Sequence, residues 1–368
     1  MTDDRKNRPR PSMPPSPRTS RPPTSPGSQR PSSTFRIGDI DFDIVSAARR
    51  ILEGSLTVVP GDRVVLILDR VRATMADVLA ETARSIGAKC DVIILEDLGP
   101  RPHTSLAKPI VDALGAAQAS LMLAGFKRGE QPMRLELLRL VTSLKLRHAH
   151  MVGVTRRSLI AGFAVDPKRI LDATRSLRVR LRPDSVIRVQ SKAGTDLTVY
   201  LGPDRRWGEQ VGAIRPGKWE NLPAGELTTS PLRVEGVYVA DASVGGHFEH
   251  LELIQRTPIH LTLESSQVKS VTCDDGTLLR SVEAYLGSDP MAGRVGTITF
   301  GTNVGMVAPI GEIVCDQNLP GLHVSLGATF PEITGAPEGA RTQLTLTAQA
   351  LDIDLDGNRI MLAGRYLI

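Results

Sequence analysis

The chain has 368 residues, 41% of them hydrophobic, and a net charge of +5. That length suits two domains of ordinary size, and that apolar content excludes wholesale disorder. Aromatics are only 4%, so the cores must be assembled from Leu, Val, Ile and Ala, and three scattered cysteines (Cys90, Cys273, Cys315) exclude a disulfide scaffold or a four-cysteine zinc site.

The positive charge is local. Residues 1–34 hold seven Lys and Arg against two Asp, while the rest of the chain carries 38 of each sign. The same stretch contains nine prolines and seven serines, a composition that cannot bury enough apolar surface to offset its ordering entropy and reads as a disordered tail. Its basic residues are scattered and have no aromatic on which a base could stack, so a solvated extension is favoured over a nucleic-acid tether. No run approaches the roughly 18 apolar residues of a membrane span. The start of the chain has no apolar signal core, and the expected location is the cytoplasm.

From Phe35 the first half alternates helical and strand patterns. Helical apolar spacing over Ile44–Ser55 is followed by a short apolar run at Val64–Leu68. Ala73–Ile86 reads as a helix closed by Gly87, and Asp91–Leu95 as a second strand. The pattern continues with a helix at Leu106–Ala116, a strand at Ala119–Ala124 and a helix at Met133–Leu146. A fourth strand at Met151–Val154 and a helix from Pro167 to Ser176 complete it. Strands without polar alternation, separated by helices, predict a parallel sheet covered on both faces, an α/β doubly wound domain over residues 35–183.

Beyond Pro183 the texture changes. Ser185–Gln190 and Asp196–Leu201 predict a hairpin with Gly194 in its turn. Further strands follow at Leu232–Val239, Ile259–Leu263, Val268–Cys273, Gly296–Phe300, Leu322–Leu326 and Gln343–Leu351, with a helix at Thr277–Leu286 and a turn at Asp354–Arg359. Residues 184–368 therefore form a β-rich, α+β domain expected to curl into a partial barrel.

Motif chemistry is sparse. The chain contains no P-loop, no GxGxxG after a strand, no G-x-S-x-G elbow and no H-E-x-x-H. His148 and His150 are expected at a helix end, where a cationic ring suits the helix dipole. His247 and His250 flank Phe248-Glu249 and offer a weak chelating pair. His323 sits inside the apolar strand Leu322–Leu326, where a histidine is either hydrogen-bonded in place or a site residue. Cys315 invites a dyad with His323, but no orienting Asn or Asp is visible.

Two segments carry a resemblance. Asn221-Leu222-Pro223-Ala224-Gly225-Glu226-Leu227-Thr228-Thr229-Ser230-Pro231 resembles the N-x-P-x-G-E-x-x-T-x-P stretch of the aminopeptidase T and S family of metallo-aminopeptidases. Gly301-Thr302-Asn303, followed by Leu322-His323-Val324-Ser325-Leu326-Gly327, is similar to that family's G-T-N and V-H-I-A-L-G motifs. The resemblance implies an α/β domain followed by a metal-binding β-rich domain, usually in a homodimer. Its chemistry uses two metals bridged by a carboxylate to polarise a scissile carbonyl, generate hydroxide and hold the peptide amine. A related branch uses one iron to open hydroxylated pyridine rings. Carried over residue by residue, the implied ligands fall on Glu226 and His323, which are donors. They also fall on Thr297, Phe330, Thr345 and Thr347, where two carboxylates, a tyrosine and a histidine are expected. No histidine follows His323.

Glu226 and His323 alone fall short of the three protein ligands of an open catalytic zinc site. The resemblance with these losses implies a non-catalytic, peptide-binding relative, without a cofactor, acting beside a peptide-modifying or peptide natural-product pathway. In it Glu226 would meet a peptide amine, and His323 and Asn303 a peptide carbonyl. The alternative is an active metal-dependent aminopeptidase with a rearranged site holding zinc, cobalt or manganese at Glu226 and His323.

Overall fold

The first sheet exists because its strands are apolar on both sides. In the computed structural model, which describes residues 42–368, β1 (Arg63–Leu68), β2 (Lys89–Ile94), β3 (Ala119–Leu123) and β4 (Arg147–His150) run parallel in the order β2-β1-β3-β4. Val64, Leu66 and Leu68 of β1 face α1 (Phe42–Arg49), its continuation Arg50–Ser55 and α2 (Ala73–Ile86). Val65 and Ile67 face α3 (Lys108–Gly115) and α4 (Gln131–Ser143). This is the doubly wound arrangement expected from the sequence. The tail at residues 1–34 lies outside the described residues.

The fourth strand is not where the sequence places it. The helix before it stops at Ser143, Lys145 takes a left-handed φ of 56°, and the ladder recruits Arg147–His150 rather than Met151–Val154. His148 and His150 therefore lie on a buried strand, paired with Ser120 and Met122, and not at a helix end. Two polar residues in alternation concealed a strand covered on both faces. A helix also went unread, α5 (Arg156–Gly162), opened by a capping box from Thr155 and Ser158. It is followed by α6 (Pro167–Arg178).

The second half forms two facing sheets and no partial barrel. β5 (Val186–Gln190), β6 (Asp196–Tyr200), β10 (Arg233–Ala240), β11 (Ile259–Glu264) and β12 (Gln267–Thr272) share an eight-stranded sheet with β16 (Asp352–Leu355), β17 (Asn358–Leu362) and β18 (Arg365–Tyr366). A five-stranded sheet runs β15-β14-β13-β9-β7. Its members are β7 (Gly208–Gln210), β9 (Glu226–Thr229), β13 (Val295–Gly301), β14 (Gly321–Gly327) and β15 (Gln343–Leu346). One continuous core fills the space between them, with Ile187, Val199 and Tyr238 from the first sheet against Ile298, Phe300 and Val324 from the second. Tyr238 crosses that core, and its buried hydroxyl donates to the carbonyls of Leu322 at 3.3 Å and Leu346 at 3.1 Å.

The two halves share elements. β8 (Lys218–Asn221) leaves the second half and adds in parallel to β4. Residues 42–368 belong to one compact unit.

Candidate functional site

Strand alternation gives the five-stranded sheet one apolar and one polar face. Leu227, Ile298, Phe300, Leu322, Val324, Leu344 and Leu346 enter the core. The intervening residues point the other way. Their register sets Thr228 beside Thr299 and Thr299 beside His323, then Ser325 beside Thr297 and Thr345. Glu226 stands across from Gly301 at the end of the same face. Hydroxyls pair across it, Thr228 with Thr299 at 2.8 Å and Ser325 with Thr345 at 3.0 Å. Thr297, His323 and Ser325 are buried.

Among the described residues, Glu226 is buried with no cation beside it. Its one side-chain partner among them is Gln317, from the segment after the short helix Ile313–Asp316, whose amide donates to Oε1 at 2.8 Å. Desolvation pushes its carboxyl up to about 7, against a small opposing effect of that bond. The carboxyl therefore exchanges its proton near neutral pH.

His323 is committed to the backbone. Nε2 lies 2.9 Å from the Leu319 carbonyl and Nδ1 receives the Ala348 N–H at 3.4 Å, which assigns the proton to Nε2. Burial brings its pKa down to about 4, so the ring is neutral near pH 7. A cation at either nitrogen would displace a backbone partner.

Asn303 does a different job from the one expected. Its amide donates to the carbonyls of Gly162 at 2.8 Å and Ala224 at 3.0 Å, and its Oδ1 receives the Gly305 N–H at 3.2 Å. Both donor hydrogens are spent, and none is left for a peptide carbonyl. Gly225, at φ +132°, presses so closely here that a Cβ would stand 2.6 Å from the Asn303 nitrogen, and Thr302 donates to the Gly225 carbonyl at 2.7 Å. A Cβ on Gly301 would stand 1.8 Å from the Leu319 carbonyl oxygen. The two recognisable motifs thus hold each other by backbone packing, which requires their glycines and asparagine whether or not a metal binds.

Five of the six positions that the resemblance assigns to metal ligands share this polar face or continue its strand, namely Glu226, Thr297, His323, Thr345 and Thr347. Phe330 follows β14 in a left-handed conformation ahead of the short helix Pro331–Thr334. The positions supply one carboxylate, one imidazole, three hydroxyls and a phenyl ring, a donor set that does not fit a pair of divalent ions. Thr347 is also occupied, bonding the Ser243 backbone at 2.9 Å in both directions. Among the described residues, no group of three or more His, Cys, Asp or Glu is placed to hold a metal. Glu249 and His250 lie in a short 3₁₀ helix over Gly246–Leu251, and among the described residues neither belongs to a group of three or more possible metal ligands. Cys315 points to the Ser158 carbonyl and the Met306 sulfur, with its thiol pKa raised by burial, so no dyad with His323 forms.

A second buried polar cluster was missed by sequence reasoning. At the carboxyl ends of β1 and β3, the usual ligand crevice of a doubly wound sheet, Asp69 accepts the Gly125 N–H at 2.6 Å and an Arg72 guanidinium N–H at 2.7 Å. Arg101 fills the crevice and forks onto Glu130 at 2.7 and 2.5 Å. It also reaches Asp69 at 3.3 Å and the Gly125 carbonyl at 2.9 Å. Burial alone would push the Glu130 carboxyl up, but the Arg101 fork and the His103 N–H outweigh it and hold it below the usual range. Nothing in the sequence brings residues 69, 101 and 130 together except the strand-end position of Asp69.

On the neighbouring strands, Ser120 meets Nδ1 of His148 at 2.9 Å, and Nε2 of His148 lies 3.4 Å from Nδ1 of His150. Burial keeps both rings neutral, with His150 lowered to about 4.

Comparison with known proteins agrees with this architecture. The family model of NicX, 2,5-dihydroxypyridine 5,6-dioxygenase, matches residues 165–304, a span that includes Glu226 and Asn303 and stops short of His323. The solved structure of the 2,5-dihydroxypyridine dioxygenase from Pseudomonas putida KT2440 superposes with a TM-score of 0.62 at 19% identity, covering 88% of this chain and 96% of that one. Wild-type AmpT from Thermus thermophilus gives a TM-score of 0.62 at 18% identity, covering 89% and 99%. No curated protein matches by sequence. The chain has the two-part α/β fold that these two proteins share, an aminopeptidase-like fold.

Proposed function

We propose that this protein is a non-catalytic, peptide-binding relative built on the aminopeptidase-like fold, without a metal-dependent hydrolytic centre. The observation that supports this reading is the donor set itself. One contiguous sheet face retains Glu226 and His323 but presents threonine hydroxyls at the other strand positions where metal ligands are implied, and His323 is engaged at both nitrogens.

Glu226 supplies the binding logic. Among the described residues this desolvated carboxyl has an amide donor and no counter-charge, and the ammonium of a peptide N-terminus would provide one. The hydroxyls of Thr228 and Thr299 offer further polar contacts. In this reading the protein works as a homodimer beside a peptide-modifying pathway. No helix among the described residues is long and apolar enough to cross a membrane.

Calorimetric titration with a panel of short peptides, each as the free amine and as its N-acetyl form, tests the reading. Binding of free-amine peptides that falls at least ~10-fold on acetylation supports it, since a charged hydrogen bond contributes about 1.5–3 kcal/mol. Equal affinity for both forms, or amino-acid release that a chelator abolishes, contradicts it. The second outcome would favour a rearranged metallo-aminopeptidase.

A further inference from the structure

At the opposite end of the five-stranded sheet from Glu226, where β9 finishes and β13 begins, the chain leaves a cleft of about 240 Å³. Its lining includes Arg205 and Arg294, the apolar residues Leu232, Met291 and Pro337, and Glu338.

Arg205 differs from the buried arginines beside the parallel sheet. Arg72 and Arg101 have partners for their side-chain nitrogens. Nε of Arg205 is buried and has no hydrogen-bond partner among the described residues. A buried donor left unbonded costs about 1–3 kcal/mol, and such an atom in a native fold calls for an acceptor from outside the chain. Neither Arg205 nor Arg294 forms an ion pair among the described residues, unlike the surface arginines 182, 188 and 359.

The cleft is held in shape from the neighbouring position. Arg206 donates to the carbonyls of Pro331 at 3.0 Å and Glu332 at 2.9 Å, and its own N–H goes to Thr334 at 2.8 Å. The segment carrying Thr329, Ala336 and Pro337 over the cleft is thereby tied to the loop that carries Arg205. Leu232 is 56% exposed and Met291 37%, so apolar surface lies open beside the two charges.

We infer that this cleft binds a small organic carboxylate with an apolar body, the carboxylate on Arg205 and Arg294 and the body against Leu232, Met291 and Pro337. Guanidinium groups match a carboxylate through paired N–H donors. The volume lies below the ~300–1,000 Å³ of pockets for drug-sized ligands, which restricts the ligand to about one amino-acid residue. Glu338 argues against a bare, highly charged anion such as phosphate, because a second full charge would meet its carboxylate. A free amino-acid derivative and the C-terminal residue of a peptide share the chemistry required.

The test uses the full-length protein and N-acetyl-leucine, whose blocked amine has nothing to offer Glu226, so the result is independent of the amine reading above. Titration should show saturable binding of N-acetyl-leucine that falls at least ~10-fold for N-acetyl-leucine amide and for inorganic phosphate. The exposed Arg294→Gln substitution should weaken it by at least ~10-fold, and Arg205→Gln should do the same with an unchanged circular dichroism spectrum. A peptide with a free C-terminus binding tighter than N-acetyl-leucine, and losing that advantage on C-terminal amidation, would identify a peptide end as the source. A peptide no tighter would identify the free acid. Equal affinity for acid and amide, phosphate binding as tight as the acid, or Arg294→Gln without effect would overturn the inference.

Discussion

At the carboxyl end of the parallel sheet, Asp69 and Glu130 are buried against Arg72 and Arg101. On the polar face of the five-stranded sheet, Glu226 is buried against no cation among the described residues. The first cluster lies where a doubly wound fold ordinarily receives a ligand, yet each charge there is met by an opposite charge or a backbone group from the same chain. It is a structural knot that closes the crevice. The second has a carboxyl and an imidazole that the fold desolvates without neutralising the carboxyl. Burial of charge is therefore not by itself a mark of function. An unmet charge on a polar, preorganised face is the more informative sign.

Breaking the knot should produce the largest effect. Arg101→Met leaves Glu130 buried with the His103 N–H but no counter-charge and takes one of the two guanidinium partners from Asp69, and loss of one member of such a cluster typically costs about 3–5 kcal/mol. Urea unfolding should show that loss, with an m-value close to that of the parent. A change under 1 kcal/mol would mean that the crevice opens to water readily and is not a closed knot.

The pH dependence should then separate the two acids. His323 is held near 4 by burial, below the roughly 6.5 of an unfolded histidine. Its neutral form is favoured by the fold, so stability is fully present above about pH 6.5 and is lost as pH falls toward 4, by on the order of 3 kcal/mol. Glu226 works in the opposite sense. Its folded value of about 7 lies above the unfolded 4.5, so its cost is absent below pH 4.5 and complete above pH 7. Glu226→Gln should therefore raise stability by on the order of 3 kcal/mol at pH 8 and leave it nearly unchanged at pH 4.5. Thermal unfolding at the two pH values reads this directly. A substitution that destabilises equally at both would show that Glu226 is satisfied by a partner and not merely desolvated.

The parallel sheet was legible because Val64–Leu68 of β1 and Leu121–Leu123 of β3 are apolar without interruption, a pattern that suits a doubly covered strand. Arg147–His150 was not, because His148 and His150 hydrogen-bond within the sheet and so satisfy in burial what composition reads as polar. The polar sheet face was legible once Glu226 and His323 were placed, since period-two alternation sets Thr297 and Thr345 beside them. The role of Asn303 was hidden, because its partners are the Gly162 and Ala224 carbonyls, which no side-chain pattern reveals. The Asp69–Arg101–Glu130 cluster and the Arg205–Arg294 cleft depend on loops far apart in sequence, and charge count alone cannot pair them.

The central claim is that the sheet face bearing Glu226 and His323 does not grip a catalytic divalent ion. Untagged full-length protein equilibrated with excess zinc, manganese or cobalt, desalted and analysed by elemental mass spectrometry tests it most directly. The account predicts well under one ion per chain, unchanged by Glu226→Gln. One or two ions per chain, lost on Glu226→Gln or His323→Ala, would contradict it.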